Sequence, residues 1–333
     1  MTSSVRWGII STALIGQEEL LPAFKEAANA EVVAIASSNS QVTKIAAKFM
    51  IPKIYNTYDE LLDDQDIDAV YIPLPNALHA HWVKKAAEKG KHVLCEKPAA
   101  LNEKEANEMI EACKKNGVLF LEGFMYQFHP QHERVKKIIA SGEIGDVKMV
   151  KVSNRFYLHN QEGNIRLNQE LGGGSMYDVG CYCTHTILNI LEKEPNKVFV
   201  SQGNKNDAVD MSVTGIMHFD NGITALFDAA MDSASNRCYE IFGTKGSIRV
   251  PNAFLPHLNK GEATIFINTD EGHTRDEKIV GHQYILQIDY FSSCVKKGDM
   301  SIELVNKTLK NLKIMDACFE SLKNERFVDL NLS

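Results

Sequence analysis

The sequence lacks most of the features that would send its function elsewhere. No apolar stretch in its 333 residues approaches the length of a membrane span. The N-terminus carries no signal-peptide apolar region. Lysine and arginine (36) are outnumbered by aspartate and glutamate (43), and the net charge of −7 comes without a basic cluster, so a nucleic-acid partner is not expected. Cysteine occurs seven times, an odd number, and only Cys181 and Cys183 lie close together, as C-x-C. That is neither a disulfide framework nor a paired zinc-ligand set, and it suits a reduced, cytoplasmic protein with no metal site. Internal repeats and low-complexity segments are also missing. What remains is 44% hydrophobic and 24% charged residues, the balance of a chain that buries a sizeable core. The length suggests about two domains.

The first 120 or so residues alternate strand and helix signals. Val5–Ile10, Val32–Ala36, Ile54–Tyr55, Ala69–Ile72, Val93–Cys95 and Val118–Glu122 read as strands. Helical patterns fall between them at 16–29, 42–50, 59–62, 77–89 and 103–116, with Gly90 and Gly117 as stops and Asn76 as an N-cap. Such alternation indicates βαβ units and a parallel sheet, a Rossmann-like arrangement over residues 1–123.

The first strand-to-helix turn, where a G-x-G-x-x-G phosphate loop is expected, reads Ser11-Thr12-Ala13-Leu14-Ile15-Gly16. Only the last glycine of that pattern is kept, although serine and alanine are small enough to let a pyrophosphate reach the helix N-terminus. After the second strand stand Ser37, Ser38 and Asn39, with Lys44 beyond them. A carboxylate there would bind a ribose 2′-hydroxyl, so its absence favours NADP over NAD, and the absence of an arginine keeps the preference modest. The stretch also suits a plain hydrophilic turn. Pro73-Leu74-Pro75-Asn76 forms a rigid loop after the fourth strand. His79 and His81 have no ligand partners nearby and read as packing residues of a helical first turn.

Glu96-Lys97-Pro98 ends the fifth strand. Proline keeps the residue before it extended, which pins Lys97 at the carboxyl edge of the sheet, where ligands bind in open α/β folds. A surface Lys-Pro turn would look the same. From Phe124 onward the alternation stops. Strand runs at 147–152, 198–202, 213–219, 223–229, 238–243, 246–250 and 263–267 are flanked by helices at 131–140, 284–296 and 302–324. Residues 124–333 are therefore expected to be an α+β domain with a large, mostly antiparallel sheet. One sheet face would need cover, most simply from a second copy, as a homodimer or homotetramer. Gly172-Gly173-Gly174 leads into a helical pattern that places Asp178, Tyr182 and His185 at i, i+4 and i+7, on one face. Tyrosine titrates near ~10 and needs a nearby cation to work at neutral pH, a task Lys97 could fill. Two half-buried packing residues would give the same pattern.

Taken together, Trp7-Gly8-Ile9-Ile10-Ser11-Thr12-Ala13, Glu96-Lys97-Pro98, Glu122-Gly123-Phe124-Met125-Tyr126 and Gly172-Gly173-Gly174 leading to Asp178-x-Gly180-x-Tyr182 resemble the Gfo/Idh/MocA family from end to end. Tyrosine, not histidine, four residues after the aspartate resembles the branch with glucose–fructose oxidoreductase, NADP-dependent xylose dehydrogenase and dimeric dihydrodiol dehydrogenase. The resemblance implies hydride transfer between a nicotinamide and a hydroxyl-bearing carbon of a sugar, cyclitol or related polyol. It implies Lys97, Tyr182 and Asp178 as catalytic residues and Arg166 and Tyr126 on the substrate side. Ser11, Thr12, Ala13, Leu14 and Ile15 would contact the pyrophosphate. Pro73, Leu74, Asn76, His79, Glu96 and Lys97 would line the ribose and nicotinamide. His185 has no implied role. A silent redox sensor and a transhydrogenating enzyme with tightly held cofactor are the competing readings.

Overall fold

The computed structural model describes residues 4–203, 208–270 and 272–330. The first compact unit builds a six-stranded, all-parallel sheet from β1 (Val5–Ile10), β2 (Ala30–Ala36), β3 (Lys53–Tyr55), β4 (Ala69–Ile72), β5 (His92–Cys95) and β6 (Phe120–Glu122). The helices between them are α1 (Leu21–Glu26), α2 (Val42–Phe49), α3 (Tyr58–Asp63), α4 (His79–Glu88) and α5 (Glu103–Lys115). Strand order is β3-β2-β1-β4-β5-β6, so the winding reverses between β1 and β4. A doubly wound sheet opens its ligand crevice there, beyond the carboxyl ends of the strands. Ile9, Ile10, Ile35, Val70, Ile72, Val93 and Leu94 are all buried, as expected when helices cover both faces. α3 starts with a capping box, in which Thr57 accepts from Glu60 N–H and Glu60 returns the bond to Thr57 N–H. The expected cap at Asn76 is displaced, because Asn76–Leu78 forms one 3₁₀ turn and α4 begins only at His79.

The second unit starts with α6 (Pro130–Ala140) and is built on a nine-stranded sheet. Its strands are β7 (Val147–Tyr157), β8 (Lys197–Gln202), β9 (Ser212–His218), β10 (Thr224–Ala230), β11 (Asp232–Gly243), β12 (Gly246–Val250), β13 (Glu262–Thr269), β14 (Thr274–Val280) and β15 (Val328–Asp329). The order is β14-β13-β12-β11-β7-β10-β9-β8-β15; only β7 and β10 run parallel. Val150, Val152, Phe227, Tyr239 and Ile241 are buried on one face, which carries α7 (Cys181–Leu191). The other face presents the row Leu226-Lys151-Glu240-Arg249 with Phe242 beside it, all at least partly exposed. Asp220-Asn221-Gly222 makes the expected hairpin between β9 and β10.

The expected division kept every residue after Gly123 in the second domain. The chain instead divides into Met1–Met125 with Tyr284–Leu309, and Tyr126–Gln283 with Lys310–Ser333. The returning segment contains α8 (Gln283–Lys297) and the start of α9 (Ile302–Asn324). Side-chain chemistry explains the return. Trp7 on β1 is fully buried, its indole N–H donates to Ser292 Oγ at 3.1 Å, and its ring lies 5.8 Å from that of Phe291. Ala28 N–H bonds Asp289 at 2.9 Å and the Asn29 amide bonds Ser293 at 2.7 Å.

Candidate active site

In the first unit, Ser11 takes the place of the first fingerprint glycine and also its backbone, with φ +90. Its hydroxyl accepts Ala13 N–H at 3.2 Å and its own N–H donates to Ala36 O at 2.9 Å, which ties the turn to the end of β2. Gly16 packs near the Tyr71 ring, and a Cβ there would stand 3.7 Å from it, an ordinary contact that does not by itself require glycine. Thr12, Leu14, Gln17, Asn39, Gln41, Lys44, Ile45 and Lys48 line a cavity of about 480 Å³ beside this turn. The cavity has two lysines and no carboxylate, so its donors fit an anionic group such as a phosphate. Ser37 is buried and accepts Asn39 N–H, and Asn39 Oδ1 accepts Gln41 N–H, so these side chains shape the turn while the lysines carry its charge. Lys48 was not expected; it follows Lys44 by one helical turn of α2, a spacing that could have found it.

At the end of β5, Lys97 is half-buried and precedes Pro98 across a cis peptide. Glu96 accepts the Tyr71 hydroxyl at 2.7 Å and Lys97 N–H at 3.3 Å. Burial raises the Glu96 carboxyl above its ordinary range, against the Tyr71 bond and the Lys97 charge. His79 departs from its expected place among the cofactor contacts. It is fully buried, with Nδ1 2.9 Å from Pro98 O and Nε2 2.7 Å from Leu74 O, so it braces the Pro73–Asn76 loop against the Lys97 turn. Burial lowers its pKa.

In the second unit, the glycine run is dictated by close approach. A Cβ on Gly173 would sit 2.5 Å from Arg166 O and 2.8 Å from Asn168 O, and Gly174 adopts φ +115 against Asp210. Gly174 N–H donates to Arg166 O at 2.8 Å. This wrap delivers the Arg166 guanidinium to Asp178, Nε to Oδ2 at 2.7 Å, and the carboxylate raises the guanidinium pKa. Asp178 lies in a π-helical turn, Met176–Gly180, that runs directly into α7. Asp210 secures the start of that turn by accepting Ser175 Oγ at 2.7 Å and Met176 N–H at 2.6 Å. Nothing in the sequence around Asp210 announced this.

Asp178 and Tyr182 both act on the Arg166 guanidinium, as residues on a common face would. Tyr182 and His185 converge on Tyr126, with ring centroids at 5.8 and 5.6 Å, while Asp178 pairs with Arg166. Tyr182 is 8% exposed and packs edge-on to Phe254 at 5.4 Å. Tyr126, expected against substrate, is fully buried, and its hydroxyl lies 2.7 Å from His185 Nδ1. Its place is behind Tyr182, and the same bond gives His185 the partner that sequence reasoning lacked.

A doubly wound parallel sheet with a phosphate-compatible first turn, followed by an α+β unit bearing an aspartate and a tyrosine on one helical segment, defines a nicotinamide-dependent oxidoreductase acting on CH–OH groups. Residues 5–124 match the oxidoreductase family with NAD-binding Rossmann fold, and residues 132–249 match the GFO/IDH/MocA C-terminal domain. The chain belongs to the GFO/IDH/MocA family. It is 33% identical to the D-xylose 1-dehydrogenase (NADP(+)) 2 of Haloferax volcanii, over 98% of this chain and 99% of the other. An oxidoreductase of Rhizobium meliloti is 37% identical over 94% and 95% of the two chains. Among solved structures, the 3-ketoreductase of Actinomadura kijaniata in complex with NADP and TDP-benzene superposes with a TM-score of 0.88 at 27% identity, covering 96% and 98%. No helix among the described residues is long and apolar enough to cross a membrane.

Proposed function

We propose that this protein is a cytoplasmic, NADP-preferring dehydrogenase that reversibly oxidises a secondary or anomeric hydroxyl of a sugar or cyclitol. The observation that carries the cofactor preference is the carboxylate-free cavity with Lys44 and Lys48 on its wall. The two ammonium groups supply the charge for a 2′-phosphate that an arginine after β2 would otherwise supply. The NADP named with the Haloferax enzyme and the Actinomadura structure supports the same reading.

The nicotinamide, when bound, takes or gives the hydride at the reacting carbon. Tyr182 exchanges the hydroxyl proton as general acid/base. Lys97 supplies the positive charge that stabilises a developing alkoxide. Asp178, held by Arg166 at 2.7 Å, orients the substrate hydroxyls with its orientation already fixed. Ser11 to Ile15 hold the pyrophosphate and Pro73, Leu74, Asn76 and Glu96 border the ribose. The partly exposed face of the second sheet, with Leu226 and Phe242 beside its charged row, supports a homodimer or homotetramer. Lys97→Met and Tyr182→Phe should each lower kcat by at least about a hundredfold, the scale of one general acid/base group, while NADPH binding, read by its fluorescence, stays within about threefold of wild type. Near-normal kcat in both variants, on the sugar that a panel screen identifies, would refute the assignment.

A further inference from the structure

Glu122 is a buried carboxyl to which the proposed reaction gives no task. It ends β6 and is 3% exposed. One oxygen, Oε1, accepts Ala99 N–H at 2.8 Å, two residues past Lys97, and the Thr308 hydroxyl of α9, which donates to Leu304 O at 3.4 Å, lies near enough to lower the carboxyl's pKa. Oε2 is buried without a hydrogen-bond partner. The titratable groups that face it are Cys95 on β5 and Glu96 and Lys97 just after it; Glu96 in turn raises the pKa of Tyr71 of β4 and Tyr284 of α8. A carboxyl so placed is costly to bury, and an apolar residue would fill the space without that cost.

We propose that Glu122 is a positioning residue for Lys97. It holds the turn through Ala99 N–H and, by gaining or losing a proton, sets the negative charge that Lys97 feels from inside the fold. The inference rests on the catalytic reading of Lys97 given above. Desolvation pushes the Glu122 carboxyl up to about 7, with Glu96 adding to the rise and Thr308, Ala99 N–H and Lys97 opposing it. Its charge therefore changes within the neutral range. Above that point the carboxylate helps keep Lys97 protonated; below it, the help is withdrawn.

Glu122→Gln keeps an oxygen for Ala99 N–H and the side-chain volume but removes the titration. In the cofactor-free protein, pH-difference infrared spectroscopy should show a carboxyl band titrating near neutrality that the variant lacks. Trace acetylation of Lys97 by acetic anhydride, followed by peptide mass spectrometry at pH 8, should run roughly threefold or more faster in the variant, equivalent to about half a pKa unit of coupling. Thr308→Val, which removes a nearby hydroxyl that favours the carboxylate, should move the infrared transition to higher pH; this keeps the test open if Glu122→Gln folds poorly. An infrared transition that survives in Glu122→Gln, an unmoved one in Thr308→Val, or equal acetylation rates would overturn the inference. If Lys97→Met is inactive while these readouts are unchanged, only the coupling falls; if Lys97→Met is active, the catalytic reading falls by itself.

Discussion

The burial of Glu122 makes a quantitative statement about stability. Its carboxyl moves from the ordinary 4.5 to about 7 in the folded protein. Between these values the folded state holds a proton that the unfolded state releases, so rising pH favours unfolding. At about 1.4 kcal/mol per pKa unit, the penalty is about 1 kcal/mol at pH 5.5 and about 3 kcal/mol at pH 8, where it is nearly complete. Glu122→Gln carries none of this dependence. The stability difference, variant minus wild type, should therefore grow by about 2 kcal/mol between pH 5.5 and pH 8. Urea unfolding followed by tryptophan fluorescence suits the measurement, because both tryptophans, Trp7 and Trp82, lie in the unit that contains Glu122. Taking the difference between the two proteins removes the contribution of every other titrating group. A difference that stays constant with pH would mean that Glu122 keeps one charge state throughout, and the reasoning from its burial would be refuted.

Two further outcomes follow from the same physical chemistry. Lys44→Ala combined with Lys48→Ala should raise KM for NADP by about ten- to a hundredfold, the scale of one or two charge-assisted contacts, and leave KM for NAD within about twofold; parallel steady-state kinetics would expose an equal rise in both as evidence against a 2′-phosphate role. Gly173→Ala should destabilise the protein by about 1–3 kcal/mol and displace Arg166 from Asp178, because the new Cβ would meet Arg166 O at 2.5 Å; an unchanged melting temperature together with unchanged kcat would show that the wrap is dispensable.

Periodicity carried most of the fold. Ala69–Ile72, Gly246–Val250 and Ile302–Asn324 could be bounded to the residue because their signals are local. β14 was missed because Thr274–Val280 is an edge strand whose side chains are mostly charged, so it shows little apolar alternation. β15 is two residues long and exists only by pairing with β8. The site was legible as residue types and less so as geometry. A helical wheel put Asp178, Tyr182 and His185 on one face, but it could not show that Asp178 pairs with Arg166 while Tyr182 and His185 pack against Tyr126. His79 and Tyr126 show the same limit: their types suit a ligand contact, and only tertiary packing reveals that their polar atoms are engaged inside the fold. Glu122 stood within a recognisable motif, yet its burial depends on α9, nearly two hundred residues away.

The return of residues Tyr284–Leu309 to the first unit has a consequence for how the protein is made. Trp7 leaves the ribosome 285 residues ahead of Ser292, which its indole bonds. At translation speeds of about 5–20 residues per second, β1 waits roughly 15–60 s for its last core partners. During that interval the nascent nucleotide-binding sheet lacks Phe291 against Trp7 and exposes apolar surface that the finished protein hides. A fragment ending at Met125 would keep that exposure permanently. The nucleotide-binding unit is therefore closed by a segment made after the second unit's sheet strands β7 to β14, and it is complete only once Tyr284–Leu309 has been synthesised.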